Sequence, residues 1–329
     1  MARNLEDAVI VITGASSGIG RATALQFAGK GATVVLAARR EEALRDVAAE
    51  CEALGSRALA IPTDVTDEAA VEALARSAVE QFGRIDVWIN NAGVTMYGLF
   101  YDTDVRSNRR VVEVNLLGVI HGSHAALTYM RERGNGVIIN MSSGFGKFAA
   151  AYQAAYVATK FGVRGFSEAL RLDLKGTGIE VCTVMPTSID TPIYRYAANY
   201  TGHLLRPIGH LLEPEKVAQT LVRLAQKPQR EVVVGQAVRS VSLLHTVAPS
   251  LFEPATSRQA VEKQLIKSDA PAASGPGNLF EPEPAWTGVS GGYKQERRSA
   301  FRRVLRTGLL ASAPAAAAFF WLRSRNASV

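Results

Sequence analysis

Short apolar runs rich in β-branched residues alternate with stretches of helical period, and this alternation constrains the fold more than any other feature. The runs lack the polar–apolar alternation of a half-solvated strand, so they are typical of strands buried on both faces of a sheet. Seven such runs occur, at residues 8–13, 32–38, 57–65, 85–93, 136–143, 179–186 and 230–235. Repeated βαβ units are therefore expected, in a doubly wound α/β domain of Rossmann type with a seven-stranded parallel sheet.

The pattern changes after Gly235, so a single catalytic domain is predicted over residues 1–250. Residues 251–292 are predicted to be a helical extension followed by a linker rich in Pro, Gly and Ala. Residues 293–329 form a basic, alanine-rich apolar tail.

The net charge of +7 belongs to the tail. From Lys294 onward there are eight basic residues and one acidic residue, 8 − 1 = +7, so the first 293 residues sum to zero. This distribution argues against a nucleic-acid groove on the main domain. Two cysteines and five scattered histidines without ligand spacing predict reduced thiols, a cytoplasmic protein and no metal site.

The stretch TGASSGIG, residues 13–20, directly follows the first strand and opens the first helix. Glycines there let the backbone approach a pyrophosphate, whose charge meets the unpaired N–H groups of the helix N-terminus. The stretch predicts a dinucleotide site. Its candidate cofactor-binding residues are Gly14, Ser16, Ser17, Gly18, Ile19 and Gly20.

The end of the second strand indicates which dinucleotide is bound. A carboxylate there would hydrogen-bond the ribose of NAD(H), but the chain has two alanines followed by Arg39 and Arg40. A guanidinium pairs well with a phosphate, so NADP(H) is predicted over NAD(H), with Arg39 binding the cofactor. The alternative is that both arginines are solvated loop charges. Asp64 and Val65, closing the third strand, are placed to reach the adenine edge, although Asp64 would equally serve as a helix cap.

Tyr156 and Lys160 stand four residues apart in YVATK, which on a helix stacks the phenol and the ammonium one turn apart. Alone, this pair is better explained by a core tyrosine beside a snorkelling lysine, because the spacing occurs by chance in many helices. It also suits proton transfer, because a nearby positive charge favours the phenolate and lowers a pKa that is ordinarily about 10.

The order and spacing of several motifs resolve this ambiguity. The chain resembles the compact, single-domain short-chain dehydrogenase/reductases over residues 5–250. The matching residues are Thr13-Gly14-x-x-x-Gly18-Ile19-Gly20, Asn90-Asn91-Ala92-Gly93, Asn115, Ser143 thirteen residues before Tyr156, and Tyr156-x-x-x-Lys160.

The resemblance implies a role for each of these residues. Tyr156 would be the general acid/base, and Lys160 would bind the nicotinamide ribose. Ser143, favoured over Ser142 by the spacing, would hold the substrate oxygen, and Asn115 would position a water behind Lys160. The residues Asn91, Ala92 and Gly93 would border the cofactor and stabilise the sheet.

One departure from the family pattern follows the sixth strand. Pro186 is normally followed by glycine, whereas Thr187 stands here, and this exchange restricts the backbone beside the nicotinamide. Pro186 and Thr191 are still expected to contact the cofactor.

The implied activity is hydride transfer between NADP(H) and a hydrophobic alcohol or ketone. The positions expected around the substrate are apolar or aromatic and carry few charges. They are Met96, Tyr97, Phe145, Phe148, Gln153, Ile189, Ile193, Tyr194 and Tyr196, with Ser143, Phe145, Gln153 and Tyr156 as the principal substrate residues. Two other functions stay open: a non-catalytic cofactor sensor or scaffold tethered by its tail, and an isomerase or dehydratase on the same scaffold.

Two further partners are expected. The resemblance implies a homodimer or homotetramer through the helical patterns at 104–131 and 153–175. Residues 307–322 contain no charge in sixteen positions and are flanked by arginines, so residues 302–325 are expected to meet a membrane surface. An alanine-rich helix packed on protein is the alternative.

Overall fold

The computed structural model describes residues 3–235 and 237–296. Residues Met1–Gly291 form one compact unit, and Gly292–Val329 form a second one. The tail at 302–325, predicted to meet a membrane, lies outside the described residues. Within the described part of the chain, no helix combines the length and apolarity needed to cross a membrane.

The predicted seven-stranded parallel sheet is confirmed. Its strands, in the order they occur in the chain, are β1 (Val9–Thr13), β2 (Thr33–Ala38), β3 (Ala58–Pro62), β4 (Val87–Asn90), β6 (Gly136–Met141), β7 (Ile179–Pro186) and β10 (Glu231–Val234). Their spatial order is β10-β7-β6-β4-β1-β2-β3, and every neighbouring pair is parallel. Strands β2 and β3 are added on one side of β1, whereas β4 and the later strands are added on the other side, so the strand order switches between β1 and β4. In such folds, ligands bind beyond the carboxyl ends of the strands at this switch point.

Four short strands form two small pairs outside this sheet. They are β5 (Met96–Tyr97), β8 (Ala198–Asn199), β9 (His203–Leu205) and β11 (Ile266–Pro271). β5 pairs with β8, and β11 runs antiparallel to β9. Residues 269–292 were expected to be a linker. Instead, β11 and the residues after it, as far as Gly291, belong to the compact first unit.

Ten helices occur in the described residues. They are α1 (Gly18–Ala28), α2 (Glu41–Ala53), α3 (Glu68–Phe82), α4 (Val105–Val112), α5 (Gly118–Arg133), α6 (Ala154–Asp173), α7 (Pro214–Gln226), α8 (Ala237–Val247), α9 (Pro249–Thr256) and α10 (Arg258–Leu265). A π-helical segment, Glu113–Leu117, joins α4 to α5.

Two apolar clusters cover the two faces of the sheet. On β1, Ile10 and Ile12 face the cluster that includes α1, α2 and α7, while Val9 and Val11 face the cluster with α3, α5 and β6. Because successive strand residues point to opposite faces, a strand buried on both sides favours apolar residues at consecutive positions, as at residues 9–12 of β1.

Both cysteines are buried within these layers. Burial raises the pKa of Cys51 to about 12 and that of Cys182 to about 11, so both thiols stay protonated at neutral pH.

Candidate active site

The glycine-rich turn connects β1 to α1 at the carboxyl edge of the sheet. Gly20 is required by packing, because a Cβ there would lie 2.1 Å from the Gly14 carbonyl oxygen. Ser17, at the N-cap of α1, does not cap the helix with its side chain, and the first turn of α1 contains no acidic residue. The helix N-terminus therefore suits an anion, and this turn fits the pyrophosphate of a dinucleotide.

The Asn-Asn-Ala-Gly segment ties β4 to this turn. Asn91 Nδ2 donates to the carbonyl oxygens of Thr13 at 2.9 Å and Gly14 at 3.2 Å, and the Asn91 and Ala92 amides donate to Thr13 Oγ1. Asn90 is buried one residue earlier and donates to Asn140 Oδ1 at 2.8 Å, across from β4 to β6. These bonds fix the position of the glycine-rich turn relative to the carboxyl ends of β1 and β4.

Helix α6 presents Tyr156 and Lys160 on one face, at the end of β6. Lys160 is 5% exposed, its Nζ donates to the Met141 carbonyl oxygen at 3.0 Å, and it lies 5.5 Å from the centre of the Tyr156 ring. Burial lowers the pKa of Lys160 to about 8. The ammonium therefore begins to lose its proton only slightly above neutral pH.

The surroundings of Tyr156 correct one expectation. Burial raises the pKa of Tyr156, and its hydrogen bond with Ser143 only partly offsets that effect. A lowered pKa was expected from the neighbouring ammonium. The protein groups alone do not produce it, because desolvation of the phenolate dominates.

The two neighbouring serines have different partners. Ser142 is buried, and its Oγ donates to the Lys160 carbonyl oxygen at 2.8 Å, which ties β6 to α6. Ser143 Oγ accepts from the Phe145 amide at 3.2 Å, and its side chain hydrogen-bonds Tyr156. Ser142 therefore has a structural position, whereas Ser143 faces the phenol.

Asn115 occupies the π-helical segment between α4 and α5. Its Oδ1 accepts from the Val94 amide at 2.8 Å, and its Nδ2 donates to the Val94 carbonyl oxygen at 2.9 Å. A Cβ on Gly93 would lie 3.3 Å from Asn115 Oδ1 and 3.8 Å from Lys160 Nζ. A π-helical turn is often found at functional sites, and this one brings an amide next to the lysine.

One cleft of about 230 Å³ connects these groups. At one end lie Ser143, Tyr156 and Lys160, and at the other lie the glycine-rich turn and Arg39 and Arg40. The cleft thus brings the Ser143, Tyr156 and Lys160 side chains into one space with the N-terminus of α1.

Known proteins share this arrangement. The model of the short chain dehydrogenase family matches residues 8–200. The chain is 36% identical over 257 residues to an uncharacterized oxidoreductase, YxnA, of Bacillus subtilis, covering 76% of this chain and 72% of the relative. It is also 36% identical over 237 residues to the 3-oxoacyl-[acyl-carrier-protein] reductase FabG of Thermotoga maritima, covering 71% and 96%.

A solved structure agrees with these sequence relatives. It is a short chain dehydrogenase/reductase from Burkholderia phymatum in complex with NAD, with 26% identity and a TM-score of 0.69 over 76% of this chain and 96% of that one. The chain belongs to the short-chain dehydrogenase family. It is therefore an oxidoreductase with a nicotinamide cofactor, as the motifs predicted.

Several cofactor candidates of this short-chain dehydrogenase line the cleft, including Val65, Pro186 and Thr191. Asp64 also lines it, but its carboxylate is occupied: it accepts from the Thr66 amide and hydroxyl and pairs with Arg110 Nη2 at 2.6 Å. Burial would raise the pKa of Asp64, but these hydrogen bonds lower it below its ordinary value. The helix-cap alternative for Asp64 is wrong, because the N-cap of α3 is Asp67, whose side chain accepts from the Ala70 amide.

Thr187 is accommodated by a glycine on the adjacent strand end. Its amide donates to the Val234 carbonyl oxygen at 3.0 Å. Gly235 has φ +121°, and a Cβ on it would lie 2.5 Å from Thr187 Oγ1. Thr187 therefore anchors the loop to β10. The glycine of the family pattern is absent at position 187, and Gly235 provides the space and the positive φ beside it.

The residues expected around the substrate fall into two groups. Ser143, Tyr156, Ile189, Ile193 and Tyr194 line the cleft. Met96 and Tyr97 are instead buried in the apolar clusters, and Gln153 is buried with its Nε2 donating to Thr95 Oγ1 at 2.8 Å.

The remaining aromatic residues have different neighbours. Phe145 stacks edge-on against Tyr156 at 6.4 Å and against Phe148 at 5.5 Å. Tyr196 lines the cleft at its other end, with its hydroxyl 3.3 Å from Ser17 Oγ. Tyr196 therefore belongs with the glycine-rich turn and not, as expected, with the substrate.

Sequence reasoning missed one element of the site completely. Residues 278–291, here named the strap, form a run of turns and bends, and Asn278, Pro282 and Glu283 line the cleft. Arg39 donates to the carbonyl oxygens of residues 278, 279 and 280 at 2.7, 3.3 and 2.8 Å. Arg40 donates to those of residues 283 and 285 at 2.8 and 3.1 Å.

Proposed function

We propose that this protein is an NADP(H)-dependent oxidoreductase that interconverts a hydrophobic alcohol and the corresponding ketone. The observation that carries the proposal is a single cleft in which Ser143, Tyr156 and Lys160 share space with two arginines. No acidic residue stands at the end of β2, where a carboxylate would select NAD(H).

Selection of the 2′-phosphate is assigned to Arg40 together with Ser16. Arg40 Nη2 donates to Ser16 Oγ at 3.1 Å, and both side chains border the cleft at the glycine-rich turn. A guanidinium and a hydroxyl side by side offer donors to several phosphate oxygens. Arg39 contributes positive charge nearby, although its guanidinium is already engaged by the strap.

The chemistry is divided between the chain and its cofactor. When bound, a nicotinamide dinucleotide supplies or accepts the hydride, which no side chain of the cleft can do. Tyr156 gives its phenolic proton to the substrate oxygen in reduction and takes it back in oxidation. The Ser143 hydroxyl donates to the same oxygen and stabilises its developing negative charge.

Lys160 and Asn115 assist the proton transfer without contacting the substrate. The Lys160 ammonium favours the phenolate electrostatically and is fixed by the Met141 carbonyl oxygen. Asn115 is held by both polar groups of Val94, so its side chain is rigid beside the lysine. We assign to it the positioning of a water that returns a proton to Lys160.

The substrate is assigned to the hydrophobic class because the catalytic end of the cleft carries Ile189, Ile193 and Tyr194. Polar and charged substrates would require pairing groups beyond the catalytic set. The exposed leucines and valine of α8 and α9, namely Leu243, Leu244, Val247 and Leu251, are consistent with a protein that handles apolar compounds.

We further propose a homodimer or homotetramer and a cytoplasmic protein whose tail associates with membranes. Leu117 and Phe161, near the α4–α5 junction and on α6, are 39% and 40% exposed, which would suit a helical interface. The membrane proposal rests on the sequence of residues 302–325, whose arginines flank an uncharged apolar segment.

A panel of aliphatic, alicyclic, steroidal and aromatic carbonyl compounds tests the activity. Reduction is followed by the loss of nicotinamide absorbance, with NADPH and NADH in parallel, and oxidation is followed with the matching alcohols. We expect turnover of apolar compounds with a preference for NADPH. Turnover restricted to charged substrates, or equal use of both cofactors, would contradict the corresponding part of the proposal.

A further inference from the structure

We propose that residues 278–283 of the strap form the outer wall of the adenosine half of the dinucleotide site, and that Arg39 is the positioning residue that holds this wall. The inference rests on the proposed function, since it concerns where the same dinucleotide binds. The family model ends at residue 200, so the strap lies beyond the part of the chain that defines the family.

Arginines hold the strap by its main chain along its whole length. Arg110 Nε donates to the carbonyl oxygen of Leu279 at 3.0 Å, and Arg21 Nη1 donates to that of Thr287 at 2.9 Å. Arg195 donates twice to the Gly291 carbonyl oxygen, at 3.0 and 2.9 Å. Bonds from a charged donor are roughly twice as strong as neutral ones, so the strap is a defined element despite its lack of helix or strand.

The strap is also anchored by an apolar side chain at the adenosine end. Leu279 is fully buried and packs in the same cluster as Val65 and Val114, both of which line the cleft. Arg110 joins this anchor to Asp64 at the end of β3, because it binds the Leu279 carbonyl oxygen and the Asp64 carboxylate together. The wall is thereby attached to the side of the cleft where adenine is expected.

The strap encloses the cleft and does not fill it. With the strap in place, the cleft still runs from Tyr156 past the glycine-rich turn to Arg40, and Asn278, Pro282 and Glu283 form part of its lining. A carbonyl of the strap, that of Gly288, accepts from the Gly18 amide at 3.0 Å beside the turn. This bond uses an amide of the anion-binding turn, so at residue 288 the strap covers a donor that a pyrophosphate would take. The wall is therefore confined to residues 278–283.

The two adjacent arginines consequently have different roles. Arg39 uses both terminal nitrogens on strap carbonyls, whereas Arg40 gives Nη1 to strap carbonyls and Nη2 to Ser16 Oγ. Loss of Arg39 should therefore loosen the wall and weaken both dinucleotides, because both contain adenosine. Loss of Arg40 should weaken chiefly the one that carries a 2′-phosphate.

Hydrogen–deuterium exchange of the full-length protein tests the wall without any substitution. Saturating NADP⁺ is expected to slow amide exchange in peptides covering residues 278–283 by about fivefold or more, because a ligand bound against the wall suppresses its local opening. The adenosine-half probe 2′,5′-ADP should reproduce this protection, and nicotinamide mononucleotide should not.

The sign of the change in exchange rate distinguishes a wall from a displaced segment and from a surface attachment. Faster exchange in the strap when NADP⁺ binds would mean displacement, and unchanged exchange would mean a surface attachment, and either result overturns the wall. Peptides covering residues 13–20 report on the proposed function separately. If these peptides are not protected by NADP⁺ or NAD⁺, neither dinucleotide binds, and both proposals fail.

Truncation of the buried Leu279 side chain provides an independent test of the wall through the dissociation rate of NADPH. Leu279→Ala should raise the dissociation rate of NADPH by about tenfold, since differences in affinity among variants appear mainly in dissociation. Leu54→Ala, the same change at a 54% exposed leucine, is the matched control. Slower NADPH release from Leu279→Ala, or a rate equal to the control's, would overturn the inference.

Discussion

Lys160 makes the stability of the folded chain depend on pH to a calculable extent. The side chain is 5% exposed, and burial lowers its pKa from 10.5 to about 8. Between these two values the unfolded chain keeps the proton while the folded chain has lost it. The unfolded state then binds more protons, so the free energy of unfolding rises with pH across this window.

The size of the effect follows from the two pKa values. Each pH unit inside the window contributes about 1.4 kcal/mol, so the free energy of unfolding should increase by about 2 kcal/mol between about pH 7 and pH 9.5. Lys160→Met removes the titrating group and keeps a long unbranched side chain. Groups that titrate equally in both proteins cancel when the variant is subtracted from the wild type.

The assay is urea unfolding without nucleotide at both pH values, followed by the fluorescence of Trp88, which is fully buried. The wild-type protein should gain about 2 kcal/mol relative to Lys160→Met as the pH rises. Lys216→Met, at an exposed position on α7, controls for the general loss of a lysine. A difference that stays constant, or that shrinks with pH, would refute the assignment of a buried lysine with a lowered pKa.

Three other predictions follow from the site and the tail. Arg40→Ala should raise the Kd of NADP⁺ by about tenfold and leave that of NAD⁺ nearly unchanged, whereas Arg39→Ala should raise both by similar factors; isothermal titration with each cofactor separates these patterns. Ser143→Ala should lower kcat/KM by about 10²-fold, whereas Ser142→Ala should mainly lower the Tm; equal kinetic losses would contradict the division between the two serines. Deleting residues 293–329 should abolish sedimentation with anionic liposomes and leave cofactor affinity intact, and full-length protein that ignores liposomes at low salt would end the membrane proposal.

The sheet was predictable because burial on both faces leaves a strong mark on composition. Four of the five residues of β1 are apolar and all five are buried, and the one polar residue, Thr13, stands at the carboxyl end of the strand, where its hydroxyl is hydrogen-bonded. The proximity of Tyr156 and Lys160 was predictable for a related reason. Tyr156 and Lys160 must stand one helical turn apart, and that spacing is visible in the sequence.

The strap was not predictable in the same way. The strap is held by main-chain carbonyl oxygens that accept from arginines. Every residue type has such a carbonyl, so these contacts do not restrict which residues occur in the strap. Its Pro- and Gly-rich composition also matches a flexible linker. One signal was present: Leu279, Phe280 and Trp286 are large apolar residues in a segment that a free linker would fill with polar ones.

The pKa of Tyr156 illustrates a second limit. Sequence spacing indicated the ammonium that stabilises the phenolate, but it gave no measure of the burial that opposes it. Desolvation depends on every atom around the ring, including the edge of Phe145 at 6.4 Å. The residues that desolvate the Tyr156 ring come from distant parts of the chain, so a local motif does not reveal them.

Tyr156→Phe removes the hydroxyl that is proposed to carry the proton in the nicotinamide-dependent reaction. With an apolar substrate identified from the panel, kcat/KM should fall by about 10²-fold or more, because the phenolic proton has no substitute. The Kd of NADPH, measured by fluorescence titration of the same preparation, should stay within about twofold, since loss of one hydroxyl leaves the dinucleotide contacts in place. A variant that retains more than about a tenth of the wild-type rate would contradict the assignment of Tyr156 as the acid/base.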